Sequence, residues 1–290
     1  MRPQAFLGLF FLLWPVSAAF SQTNHSLLWE ISSPNLKHPS YIFGTIHVIC
    51  ADDFTPSDSL LQAIHTSKVF WLELDPTDLS LPHNLREMMV MKNGQNLSEL
   101  ISVNDYQKIK HFLEDTLEIK EEWVQNFKPI VLTNLLYSRF LSCDKAESVE
   151  NLLLGFARAS ETEIKGLETL EDQIELLDQI PYTEQVSMVL EMIDEYARSI
   201  EEFNTLQKLY KNQSVEQLSA IIDETQLGYT AFNQNLLKER NIRWLPILEK
   251  SLQSSPGFIA VGAAHLGGND GLLELFRQNG YTFKPISAFR

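Results

Sequence analysis

Tyr41-Ile-Phe-Gly-Thr-Ile-His47 decides how this chain is read, because a stretch near the other end echoes it: Phe258-Ile-Ala-Val-Gly-Ala-Ala-His265. Each copy is an apolar run, then glycine, two small or apolar residues and a histidine. A short apolar run of this kind reads as a buried strand. A glycine inside it marks a close approach of another backbone or of a ligand. Gly44 and Gly262 would permit that approach, and His47 and His265 would then stand at strand ends, the rim where open α/β sheets bind ligands. One Gly-x-x-His is a weak signal; two in matching apolar context are a stronger one.

Working outward, Lys68-Val-Phe-Trp-Leu-Glu-Leu-Asp75 is a third strand of strong β-formers. Glu73 is a charge in an otherwise apolar run, which calls for a partner, and Asp75 falls on the same face two residues on. Ser26–Ser32 reads as a first strand, with a turn at Ser33-Pro34-Asn35 that makes a hairpin with the Tyr41–Val48 strand. Ser57–Ser67 reads as a helix. The stretch from Pro82 to Ser142 is helical and amphipathic, with Ser98 a candidate cap for Leu97–Leu100. Ala146–Ala159 reads as a helix and Glu163–Glu168 as a short strand. Thr169-Leu-Glu-Asp172 resembles a capping box, opening a helix through Ile180. Helical runs follow from Pro181 to Tyr210, Ser214 to Asp223 and Gln226 to Leu252. Asp270–Gln278 is a last helix and Tyr281–Ile286 a closing strand. Strands therefore gather at the two ends. This predicts an α/β chain, one domain over 22–290, with a mixed central sheet formed by strands near both termini and a large helical insertion at about 82–252.

The 290 residues are 44% hydrophobic and 21% charged, ordinary for a soluble globular protein. Arg2 followed by the apolar run Phe6–Val16 and the small residues Ser17, Ala18 and Ala19 reads as a secretory leader, residues 1–21, cut near Ala18–Ser21. No later stretch reads as a transmembrane helix, so the mature chain is expected to be secreted or periplasmic. With 23 basic against 38 acidic residues the formal charge is −15, which argues against nucleic acid and anionic membrane surfaces as partners. The two cysteines, Cys50 and Cys143, pair in an oxidising compartment or stay as buried thiols; a bridge would pin the loop after His47 to the segment around Cys143.

Two histidines and a carboxylate can hold a divalent metal with positions left open. The expected ligands are His47, His265 and Glu73, with Asp75 as a further candidate. Glu168, at the end of its strand, is the best second carboxylate to serve as general base. Arg240 is the candidate for binding a substrate carboxylate or steadying an oxyanion. His25, His38, His65, His83 and His111 lie in no paired context and are expected at the surface. Gly-x-Ser-x-Gly, His-Glu-x-x-His, phosphate-loop and dinucleotide patterns are absent from the sequence.

Taken in order, Leu28-Trp29-Glu30-Ile31, Phe43-Gly44-Thr45-Ile46-His47, Phe70–Asp75, Gly166-Leu167-Glu168-Thr169 with Gln173, Glu239-Arg240-Asn241 and Val261–Gly268 resemble the TraB/GumN family, which contains the Tiki proteases. The resemblance implies an erythromycin-esterase/ChaN-like α/β fold. It also implies an active site at the two Gly-x-x-His motifs, carried here by Gly44, His47, Gly262 and His265, with Glu73 as the carboxylate and Arg240 as the family-type arginine. The Tiki members look like divalent-metal-dependent peptidases supported by manganese or cobalt. This chain ends at Arg290 without their C-terminal membrane segment, so it is expected to resemble the secreted bacterial GumN branch, and cleavage of Wnt is not carried over.

The expectation is thus an extracytoplasmic hydrolase of peptidase type, dependent on manganese, cobalt or zinc and acting on a peptide or protein. Two alternatives stand beside it: a non-enzymatic metal- or haem-binding protein, and a metal-independent esterase using His47 as base.

Overall fold

The computed structural model describes residues 26–78, 81–224 and 230–290. The leader and His25 lie outside the described residues, as does the side chain of His83. Among the described residues, no helix is long and apolar enough to cross a membrane.

Among the described residues, eight strands form in chain order: β1 (Leu28–Ser32), β2 (Ser40–Thr45), β3 (Ile49–Cys50), β4 (Val69–Leu74), β5 (Ala146–Glu147), β6 (Glu163–Glu168), β7 (Gly257–Gly262) and β8 (Thr282–Ile286). Six of them make one sheet in the order β6-β4-β7-β2-β1-β8. Strands β6, β4, β7 and β2 are mutually parallel; β1 runs antiparallel to both β2 and β8. The fold is the expected mixed α/β one, and the β1–β2 hairpin is present. The most apolar runs, Val69–Leu72 and Phe258–Val261, are in adjacent central strands buried on both faces, which explains why they lack alternation. Phe70 and Phe258 stack across them with ring centres 5.2 Å apart.

The register decides the site. β2 and β7 pair with Gly44 opposite Val261 and Thr45 opposite Gly262, so both motifs leave the sheet side by side at the same edge. A Cβ on Gly44 would lie 3.0 Å from the Ala263 Cα and 2.9 Å from Leu266 Cδ1, so glycine is what admits the turn of the second motif.

Helices form two layers. One core couples the sheet to helices such as Val149–Ala159, through Leu153 and Leu154, and Thr230–Ser254, through Trp244 and Leu248. A second core is built mainly from helices and includes Ile109, Leu113, Leu132, Leu136, Val189 and Phe203. Strand β6 returns to the main sheet from inside the span 82–252.

Several local expectations change. Asn96, not Ser98, caps Leu97–Leu100, because Asn96 and Glu99 exchange bonds in a capping box and Ser98 donates to the Asn96 side chain at 2.5 Å. Ala146 and Glu147 are stripped from the next helix by pairing with β3, and Ser148 caps what remains. The acidic run from Pro181 is two helices, Tyr182–Asp194 and Tyr196–Lys211, interrupted at Glu195. The Thr169–Asp172 capping box is present. Cys50 and Cys143 are bonded, Cα to Cα 5.9 Å, beside the β3–β5 ladder and three residues past His47.

Candidate active site

Glu73, His265, Arg240 and Glu168 meet at the carboxyl ends of the parallel strands. Arg240, on the helix Thr230–Ser254, is the hub. Its Nη2 donates to Glu73 Oε2 at 2.5 Å and to Glu168 Oε1 at 2.6 Å, its Nε to Glu168 at 3.1 Å, and its Nη1 to His265 Nε2 at 3.1 Å. The guanidinium also lies 4.6 Å from the centre of the Trp244 ring, a cation–π contact one helical turn along. Burial opposes its charge, but Glu73 and Glu168 outweigh that and raise its pKa.

His265 is buried and its tautomer is fixed from behind. Asn241 Nδ2 donates to the carbonyls of His265 and Asp270, so its Oδ1 must accept from His265 Nδ1, at 2.8 Å. Nε2 therefore keeps the lone pair, which Arg240 meets. Burial pulls the His265 pKa down to about 3, keeping the ring neutral. Burial alone would raise the Glu73 pKa; nearby positive charge and the Gly262 N–H, 2.9 Å from Oε1, bring it to about 2. A protonated His265 would add to that effect, but its own burial keeps it neutral above about pH 3, so at neutral pH Arg240 supplies the stronger share.

His47 is in a different state, and of the two histidines it is the one that lines the cavity. Its Nδ1 is 2.9 Å from Glu150 Oε1, which also accepts from Thr45 Oγ1 at 2.7 Å, while Ser148 holds the other oxygen. The Glu150 contact raises the His47 pKa to about 9. With 80% of its side chain exposed, water screens the pair, and the upward direction is what the contact dictates.

Glu73, His47, Arg240 and Glu150 line one cavity of about 370 Å³. Asp75 is not among its walls: β4 ends at Leu74, and the Asp75 carboxylate turns to accept from the Thr77 N–H and hydroxyl at 2.8 and 2.6 Å. Glu168 reaches the rim, but its oxygens are taken by Arg240, by Gln173 at 2.8 Å and by Trp244 Nε1 at 3.2 Å, leaving it 3% exposed. His38, His65 and His111 are exposed. Sequence reading did not single out Asn241, Trp244 or Glu150 as site residues. Asn241 and Trp244 share the helix of Arg240 at the next position and one turn on; Glu150 carries no local signal.

The donor types expected for a metal are present, yet the arrangement does not fit one. Among the described residues no three histidine, cysteine or acidic side chains are gathered so as to hold an ion. The reason is visible: the Arg240 guanidinium already bonds Glu73 and His265, while His47 is bonded to Glu150.

A family model described as TraB/PrgY/gumN matches residues 27–285. Among curated proteins, the chain is 23% identical to metalloprotease TIKI2 of Danio rerio, over 89% of this chain and 60% of that protein. It is 25% identical to metalloprotease TIKI2 of Xenopus tropicalis, over 91% of this chain and 60% of the relative. To metalloprotease TIKI1 of Homo sapiens it is 24% identical, over 92% and 63% respectively. The chain thus spans about 60% of the length of these relatives. No solved structure matches it. With nearly all described residues inside the family match, and both Gly-x-x-His turns leaving paired strands side by side, the chain belongs to the TraB/PrgY/gumN family.

Proposed function

We propose that this chain is an extracytoplasmic hydrolase of peptide bonds. The observation that carries the reading is convergence: His47 of the first turn, a carboxylate and an arginine border one cavity at the carboxyl edge of a parallel sheet, and that arginine bonds His265 of the second turn, more than 200 residues away in sequence. The name metalloprotease, borne by the relatives, supports a peptide or protein substrate. The Cys50–Cys143 bond supports an oxidising compartment, as does the leader-like run Phe6–Val16.

In this reading Arg240 faces the cavity with its charge fixed in place and stabilises negative charge developing on the carbonyl oxygen. Glu73 and Glu168 position it; with its oxygens occupied, Glu168 is a positioning residue, not the general base. His47, backed by Glu150, moves the proton through its other ring nitrogen. A divalent cation, which the relatives' name supports, would supply Lewis acidity toward a carbonyl or water. Since Arg240 and Glu150 engage the expected donors, no step is assigned to it. The same arrangement favours a second reading, a metal-independent hydrolase or esterase with His47 as base.

The experiment is to strip the wild type and the His47→Ala and His265→Ala variants with chelator, then assay a mixed peptide library with manganese, cobalt or zinc restored, alongside metal content. Activity that requires metal and disappears in both variants supports the metallopeptidase reading. A wild type that binds no metal sinks it. Full activity in chelator, lost in His47→Ala, selects the second reading.

A further inference from the structure

The cavity beside His47 has a mixed lining. Glu73, Arg240 and His47 contribute charged groups; Met88, Leu154, Leu176 and Leu177 are among its apolar side chains. These four side chains come from three separate helices, Leu81–Met89, Val149–Ala159 and Leu170–Leu177. The packing of the fold, and not one amphipathic face, brings them together. Leu154 and Leu176 are buried, and Met88 and Leu177 half-buried.

The charged groups here are already engaged with one another: Arg240 is bonded to Glu73 and Glu168, and His47 to Glu150. A charged side chain entering here would leave water for a largely leucine-lined space and have to compete for partners already held. An apolar one would bury its surface. Asn134 and Asn151 line the same cavity and are exposed. Each carries both a donor and an acceptor, which is what a peptide group asks for. At about 370 Å³ the cavity is of small-ligand size.

We propose that this cavity is the specificity pocket for an uncharged, apolar side chain of leucine or methionine size adjacent to the bond that is cut. Asn134 and Asn151 hold the flanking peptide group. The inference rests on the peptide-hydrolase reading for its context, but binding alone can test it.

The test is a set of end-labelled hexapeptides in an alanine–serine background, identical except for one residue: Leu, Met, Asn, Lys or Glu. Binding to the full chain is followed by fluorescence polarisation, with and without manganese, and cleavage by mass spectrometry in parallel. The Leu and Met peptides are expected to bind about tenfold or more tighter than the Asn peptide, which has leucine's shape but an amide to desolvate. Lys and Glu should bind no better than Asn. Met88→Trp and Leu177→Trp, each filling the pocket from a half-buried position, should weaken the Leu peptide about tenfold and leave the Asn peptide unchanged. Equal binding of Leu and Asn, or no binding of any peptide, overturns the pocket. Selective binding without cleavage supports the pocket and sinks the hydrolase reading; cleavage without Leu/Asn discrimination does the reverse.

Discussion

The two Gly-x-x-His turns start from neighbouring rungs of one sheet and finish in opposite surroundings. His265 is buried beneath the helix that carries Arg240, Asn241 and Trp244, with the Trp244 ring centre 4.5 Å from its own. His47 leads out to the β3–β5 ladder and is 80% exposed. Burial lowers the pKa of the first, while a carboxylate raises that of the second. A shared motif therefore fixes where a histidine stands, and its proton state is set by the element that covers it.

The comparison is broken most severely at the carboxylate beside the covered histidine. Glu73→Ala leaves Arg240 partly uncompensated in a buried setting and is expected to cost about 3–5 kcal/mol. Glu150→Ala, beside the exposed histidine, should cost under about 1 kcal/mol. Urea unfolding of both variants checks the contrast, and equal losses would contradict it.

Next in size is the glycine pair. A Cβ at Gly44 meets Ala263 and Leu266 at 2.9–3.0 Å, whereas at Gly262 its nearest neighbour is Glu73 Oε1 at 3.3 Å. Gly44→Ala should destabilise by about 1–3 kcal/mol, chiefly a loss of Tm. Gly262→Ala should disturb Glu73 more than the fold, showing as lost turnover with a smaller change in Tm.

Acid should sharpen the contrast further. The folded pKa of His265 lies below its unfolded value, so between about pH 6.5 and 3 the unfolded chain binds the extra proton and stability falls as pH falls. Glu73, lowered to about 2, acts in the same direction from about 4.5 downward. Unfolding free energy followed across pH 7 to 3 is expected to drop on the order of a few kcal/mol. The drop should be shallower in His265→Gln. A curve flat over that range would show the His265 environment to be misassigned. The smallest effect is at the exposed twin: Glu150→Gln should bring the His47 pKa down toward its ordinary value, read by NMR titration of the ring protons.

Much of this was legible in order along the chain. The repeated Gly-x-x-His with its apolar preface marked two buried strands, and their close approach made the paired glycines meaningful. Glu73 was visible because a charge in Val69–Leu74 needs a partner. Asp75 misled because strand alternation was carried one residue past the end of β4, where the chain turns and the carboxylate satisfies Thr77. Glu150, Asn241 and Trp244 were not legible as site residues because their roles depend on helices docking across more than 20 residues of separation, which no local pattern encodes. Nor could spacing reveal that the cation between Glu73 and His265 belongs to the chain itself.

That internal cation bears on how the protein is made. A site with two buried carboxylates and a buried imidazole ordinarily has to wait for an ion before its charges are tolerable in a closed fold. Here Arg240 supplies the balancing charge at synthesis. The chain can close and form its Cys50–Cys143 bond with this charge already in place, so folding does not have to wait for an ion.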